Sequence, residues 1–187
     1  MKSEILKTLQ ILNEGGVILY PTDTIWGLGC DALNEKAVER LFQIKQRVVD
    51  KSVIVLIDDL MRVKENILSC FSEGNELLKL SDKPQTVIFP KAKGFPKGVL
   101  NLNESMAFRI PKHTFCQNLL LEFKRPLVST SANVSGEGTP LYFEDISQDI
   151  INAVDYVVSK DVEGNMTHLP SRIVLLNDEG GYSLIRS

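Results

Sequence analysis

Apolar residues recur at helical spacing in Ile5, Leu6, Leu9 and Leu12, and the run closes on Glu14-Gly15-Gly16. This pattern predicts an amphipathic helix ended by glycine. Val17 to Tyr20 is a short apolar run that predicts a buried strand. Helical spacing returns over Leu33 to Gln46, with Ala37, Val38, Leu41, Phe42 and Ile44 on or near one face. Val53 to Ile57 is too short and too continuously apolar for a surface helix and predicts a strand. Helical stretches follow around Met61–Leu68 and Asn75–Leu80. Strands are predicted at Thr86–Phe89 and Met106–Ile110, on either side of a Lys/Pro/Gly-rich loop at Pro90–Gly98. Phe115–Phe123 predicts a helix, and Pro126–Thr130, Tyr156–Val158 and Ile173–Leu176 predict strands. Strands mixed with helices at these lengths suggest an open α/β sheet in one domain spanning residues 1–187.

Between the first strand and the second helix the periodicity fails. The stretch "YPTDTIWGLGCDA", Tyr20 to Ala32, keeps neither a strand nor a helix period. Pro21 stops ladder pairing, Thr22 and Thr24 flank Asp23, and Gly27 and Gly29 free the backbone. Small polar groups gathered where a strand ends suggest a ligand loop.

Composition narrows the classes. At 187 residues with 43% hydrophobic and 24% charged side chains, the chain reads as an ordinary globular domain. A formal charge of -3 argues against a protein that is basic all over and coats nucleic acid, though not against a local basic patch. Cys30, Cys70 and Cys116 have no CxxC pairing and read as buried reduced thiols. Met1-Lys2-Ser3-Glu4 begins no signal peptide. No apolar run approaches the ~20 residues a membrane span needs. A cytoplasmic protein is expected.

Three clusters bear chemistry. "IKQRVVDKS" places Lys45, Arg47 and Lys51 at a helix end. Cations there compensate the helix dipole, but Lys51 stands beyond the helix at the mouth of a strand, where α/β sheets bind ligands. Compensation and a phosphate site remain equally open. "PLVSTSANVSGEGTP" runs a strand into Ser129, Thr130, Ser131, Asn133 and Ser135, with Gly136 and Gly138 behind. Its short donors suit phosphate, ribose or carboxylate oxygens; a polar turn with a helix cap is the plainer reading. In "MAFRIP", Arg109 interrupts an apolar strand, where an unpaired charge is costly. It either pairs with a carboxylate of the fold or clamps an anionic ligand. GxxxxGK[ST], GxGxxG and GxSxG are absent from the sequence. With His113 and His168 as the only histidines, a His-rich zinc site is implausible. The remaining picture is a site rich in hydroxyls and positive charge, working by positioning and charge stabilisation.

Taken together, these clusters resemble the YrdC-like family, the threonylcarbamoyl-AMP synthases of tRNA modification. "YPTDTIWGLGCDA", "IKQRVVDKS", "MAFRIP", "PLVSTSANVSG" and the closing "PSRIV…LIRS" match family segments in order over nearly the whole chain. The resemblance implies a single domain with a twisted, mixed sheet around a positively charged central cavity. It implies condensation of L-threonine, bicarbonate (or carbon dioxide) and ATP to threonylcarbamoyl-AMP and pyrophosphate. A separate transferase complex then carries the group to tRNA. Carried over, Arg47 and Lys51, with Lys45 close by, face the triphosphate. Thr24, Arg109, Ser129 and Ser171 hold threonine, with Arg109 on its carboxylate; that pairing is expected to explain why the strand tolerates a charge. Ser105, Ser131, Asn133, Thr139 and Arg186 line the nucleotide. Mg²⁺ is implied as a helper held mainly by ATP phosphates and water.

The chain departs from the family pattern at Ser52, where proline is frequent, and at Leu56, where some relatives carry histidine. It also departs at "DKPQT", which lacks a glycine, and at Arg172, where threonine is common. The long C-terminal extension of some relatives is missing, as in the short bacterial form. Two other readings compete. One is a non-catalytic RNA-binding module using Lys91, Lys93, Lys97, Lys112, Lys124 and Arg125, with weak RNA binding. The other is a carbamoyl-adenylate activity like that of hydrogenase-maturation proteins, which bear further domains.

Overall fold

The structure, a computed structural model, describes residues 1–46 and 53–187. In chain order its regular elements are α1 (Lys2–Asn13), β1 (Ile18–Tyr20), β2 (Gly27–Asp31), α2 (Glu35–Ile44), β3 (Ile54–Leu56), α3 (Phe71–Leu80), β4 (Gln85–Phe89) and β5 (Met106–Arg109). They continue with α4 (Thr114–Phe123), β6 (Leu127–Ser131), α5 (Gln148–Ala153), β7 (Tyr156–Val157), β8 (Arg172–Leu176) and β9 (Tyr182–Arg186). All these strands join one sheet in the order β7-β1-β2-β6-β3-β5-β4-β8-β9. The pairs β1–β7, β3–β5 and β4–β8 are parallel and the others antiparallel. The expected open, mixed sheet in a single α/β domain is what the chain builds.

Strand alternation divides the core into two layers. Leu19, Leu28, Val55, Phe108 and Val128 belong to one cluster, with Leu41 of α2 and Leu78 of α3. Ile18, Tyr20, Leu56 and Leu127 belong to a second, with Ile5 and Leu12 of α1 and Phe115, Leu119 and Leu120 of α4. The strand β6 shows how the second layer ends. Leu127 packs among the helices, while Ser129 and Ser131 share its side of the strand and are only half-buried. The apolar layer therefore gives way to a polar recess further along the same strand.

Local chemistry accounts for the element ends. Ile5, Thr8 and Leu12 are the buried stripe of α1, and Gly15 beyond it has a φ of 82°. The Asn34 side chain caps α2 by accepting the Ala37 N–H at 3.2 Å. That helix stops at Ile44, short of the expected Gln46, because Gln46 has a φ of 48°, which no right-handed helix accommodates. The stretch expected as a helix over Met61–Leu68 is a 3-10 helix, Leu60–Asn66, broken at Val63. The helix expected from Asn75 begins earlier, at Phe71.

The aperiodic loop is corrected in part, since Gly27–Asp31 forms β2 between β1 and β6. Its glycines serve close approach. A Cβ on Gly29 would lie 2.7 Å from the Tyr20 ring and 2.9 Å from the Val128 carbonyl. No expectation anticipated β9, α5 or the short 3-10 turns at Phe143–Asp145 and Lys160–Val162.

Candidate functional site

The polar recess is a cavity of about 200 Å³ lined by residues from both ends of the chain. The loop before β2 supplies Thr22, Thr24, Ile25 and Trp26. β6 supplies Ser129, Thr130 and Ser131, β5 supplies Arg109, and Thr139, Pro170, Ser171 and Arg186 complete the wall. Thr24, Arg109, Ser129, Ser131, Thr139, Ser171 and Arg186, all expected at the site, thus meet around one volume.

Arg109 has a partner within the fold. It forms an ion pair through Nη2 with Oδ1 of Asp23, and both side chains are almost fully buried. Asp23 Oδ2 also accepts the Lys112 N–H at 3.0 Å. The expected explanation of the charge in β5 is therefore corrected: Asp23 compensates it without any ligand. Arg109 Nη1 donates to Thr24 Oγ1 at 3.2 Å, and its buried Nε has no hydrogen-bond partner.

The two threonines are tied into the turn. Thr22 Oγ1 donates to the Ile25 carbonyl at 2.7 Å and accepts the Thr24 and Ile25 N–H groups at 3.1 and 3.3 Å. Its hydroxyl lies 2.9 Å from Thr24 Oγ1, and either can donate in that contact.

Ser129 is held by Tyr20, whose hydroxyl donates to its Oγ at 2.8 Å. Burial pushes the Tyr20 phenol well above its usual range, which keeps it a neutral donor. Ser171 shares a 2.8 Å hydroxyl contact with Thr86, and its carbonyl accepts Nε and Nη2 of Arg186 at 3.0 and 2.7 Å. Among the described residues Arg186 makes no ion pair. Partial burial of its guanidinium first, and the charge of Arg109 second, pull it below the usual range.

Other expected residues sit elsewhere. Lys45 is buried and its ammonium donates to the Ser131 and Asn133 carbonyls at 2.5 and 2.6 Å, so it anchors the serine-rich loop rather than lining the cavity. Asn133 ties the same loop, accepting from Ser131 Oγ at 2.5 Å and donating to the Glu137 carbonyl at 2.9 Å. Ser105 is buried at the start of β5, bonded to Asn101 and Asn103, and is absent from the cavity wall. Arg47 and Lys51 lie outside the described residues. The sequence reading missed Thr22, Asp23 and Trp26 as site residues. Thr22 and Asp23 carried one signal, their place in the "PTDT" run, whereas the Trp26 indole donates to Glu163 at 2.6 Å, a contact with no local trace.

A family model described as "Telomere recombination", covering Sua5, YciO and YrdC proteins, matches residues 10–187. The chain belongs to the Sua5/YciO/YrdC family. Within it, the chain is 35% identical over 167 residues to the threonylcarbamoyl-AMP synthase of Pseudoalteromonas translucida, covering 88% of this chain and 89% of that protein. It is 36% identical over 165 residues to the Xanthomonas campestris protein of the same name, covering 86% and 88%. Among solved structures, Pyrococcus abyssi Sua5 complexed with L-threonine superposes with a TM-score of 0.86 at 26% identity, covering 97% of this chain and 53% of that one. Escherichia coli YciO gives 0.79 at 25% identity, covering 100% and 90%. The family expected from the ordered motifs is thus the family found. No helix among the described residues is long and apolar enough to cross a membrane.

Proposed function

We propose that this chain is a threonylcarbamoyl-AMP synthase, condensing L-threonine, bicarbonate or carbon dioxide, and ATP into threonylcarbamoyl-AMP and pyrophosphate. A transferase complex would then use the product to form threonylcarbamoyladenosine in tRNA. The observation that carries this reading is the convergence of Thr24, Arg109, Ser129, Ser171 and Arg186 on one cavity from widely separated segments. The synthases of P. translucida and X. campestris and the L-threonine bound to P. abyssi Sua5 support it.

In this reading Arg109 receives the threonine carboxylate and Thr24 Oγ1 accepts from its amine. Ser129, held by Tyr20, and Ser171, held by Thr86, close around the rest of the amino acid. The amine adds to carbon dioxide and gives up a proton, leaving a carbamate. One carbamate oxygen then bonds the α-phosphorus of ATP as the bond to the β-phosphate oxygen breaks, and pyrophosphate leaves with the electron pair. Arg186, with Arg47 and Lys51, neutralises the phosphates. Ser131 and Thr139 line the nucleotide, while Lys45 and Asn133 act through the shape of the loop.

Among the described residues no three His, Cys, Asp or Glu side chains form a metal-binding group, and Asp23 is committed to Arg109 and Lys112. This donor set fits a Mg²⁺ carried on ATP phosphates and water, supplying charge neutralisation when bound.

Pyrophosphate release from ATP and bicarbonate tests the reading, with and without L-threonine and with L-serine as control. Release that requires L-threonine is the expected result. Release indifferent to threonine and bicarbonate overturns it. No release from folded protein with Mg²⁺ present turns the question to the RNA-binding alternative.

A further inference from the structure

Asp23 stands behind the cavity rather than in its wall, yet it touches three parts of the site. Its Oδ1 pairs with Arg109, its Oδ2 accepts the Lys112 N–H in the turn between β5 and α4, and its carbonyl accepts the Thr167 N–H at 3.0 Å. The next carbonyl, that of Thr24, accepts the His168 N–H at 2.9 Å. The aspartate is thus fixed from three sides, and its carboxylate cannot turn away from the guanidinium without breaking other bonds.

The consequence falls on Arg109. A guanidinium has five N–H bonds in one rigid plane. Asp23 takes Nη2 and Thr24 takes Nη1, which sets the orientation of that plane. Arg109 lines the cavity, its Nε is buried without a partner, and a buried unpaired donor needs a reason for being there. A ligand carboxylate supplies one.

We propose that Asp23 is a positioning residue for amino-acid recognition. It holds the Arg109 guanidinium so that Nε–H is left for the carboxylate of the bound amino acid. This rests on the amino-acid reading of the cavity given above. The carboxylate of Asp23 also neutralises Arg109 by itself, so the incoming carboxylate gains directed hydrogen bonds rather than a bare charge.

The test follows the Arg109 Nε–H directly by NMR on protein with ¹⁵N-labelled arginine, the signal being assigned from its loss in Arg109→Lys. Wild-type protein and Asp23→Asn are each titrated with L-threonine. In the wild type, a slowly exchanging signal should shift as threonine binds. In Asp23→Asn, whose backbone amide spectrum reports whether it stays folded, the signal should broaden or exchange rapidly. The threonine dissociation constant should rise about tenfold or more, as expected for losing a charged hydrogen bond. ATP binding should remain within about twofold. An Arg109 signal equally protected in folded Asp23→Asn, with unchanged threonine affinity, overturns the positioning role. A wild-type signal that ignores L-threonine overturns the amino-acid reading instead, so the two failures are distinguishable. Should Asp23→Asn not fold, Asp23→Glu decides, since it keeps the charge but displaces the carboxylate. The Arg109 signal should lose protection and threonine affinity should fall in folded Asp23→Glu, and an equally protected signal with unchanged affinity overturns the proposal.

Discussion

Arg109 and Asp23 stabilise the chain only as a pair. Both side chains are almost fully buried, so removing one strands the other's charge away from water. Arg109→Ala should therefore lower folding stability by about 3–5 kcal/mol. Adding Asp23→Ala to it should recover part of that loss, since no orphan charge remains. Urea denaturation measures both, and an unchanged midpoint in Arg109→Ala would refute the account. In the proposed reaction the same single variant should weaken threonine use more than ATP use. At this scale the sequence exposed half of the arrangement. A charge inside "MAFRIP" demanded a partner, but the partner lies 86 positions away and nothing near Arg109 indicates it.

Elements depend on fit as well as on propensity, and Gly74 separates the two. In an exposed helix, alanine is better than glycine by about 1 kcal/mol. In α3, however, a Cβ on Gly74 would lie 2.1 and 2.2 Å from ring carbons of Phe89 and 3.1 Å from Leu176. Phe89 is fully buried and packs edge-on against Phe108 at 5.7 Å, so it cannot move aside cheaply. Overpacking of this kind costs about 1–3 kcal/mol, which exceeds the propensity gain. Gly74→Ala should lower the thermal midpoint; a raised midpoint would show that the ring yields. Elements with a clear apolar period, α1, α2, α4 and most interior strands, were legible in the sequence. The strand β2 was not, because Gly27 and Gly29 read as loop until Tyr20 and Val128 are seen to need the space. Nor was β9, all five of whose residues are exposed, so that no buried face marks it.

Across the whole molecule, two contacts link the first helix to the edge of the sheet and make stability depend on pH. Glu4 accepts the Ser159 N–H at 3.0 Å and the Tyr156 hydroxyl at 2.7 Å. The Ser159 N–H is the main cause holding the Glu4 carboxyl below its usual range; burial opposes it and Tyr156 assists. A depressed folded pKa contributes stability above the ordinary glutamate range, and that contribution is lost as pH falls through the folded value. Burial, and then Glu4, push the Tyr156 phenol up to about 12. A raised folded pKa contributes stability that is complete below the ordinary tyrosine range, near 10, and lost as pH rises through the folded value. Stability should therefore fall at both limbs. Glu4→Gln should flatten the acid one and Tyr156→Phe the alkaline one; curves parallel to wild type in denaturant titrations across pH would refute the linkage. The sequence alone determined most helices and strands, the mixed α/β class, and the hydroxyl-rich and cationic character of the loops. Those features depend on residues within a few positions of each other. Only the tertiary structure decided that Arg109 pairs with Asp23, that Lys45 anchors a loop, and that β6 lies between β2 and β3. Such contacts join distant positions through shape and charge complementarity, and a local pattern of apolar and polar residues leaves no record of them.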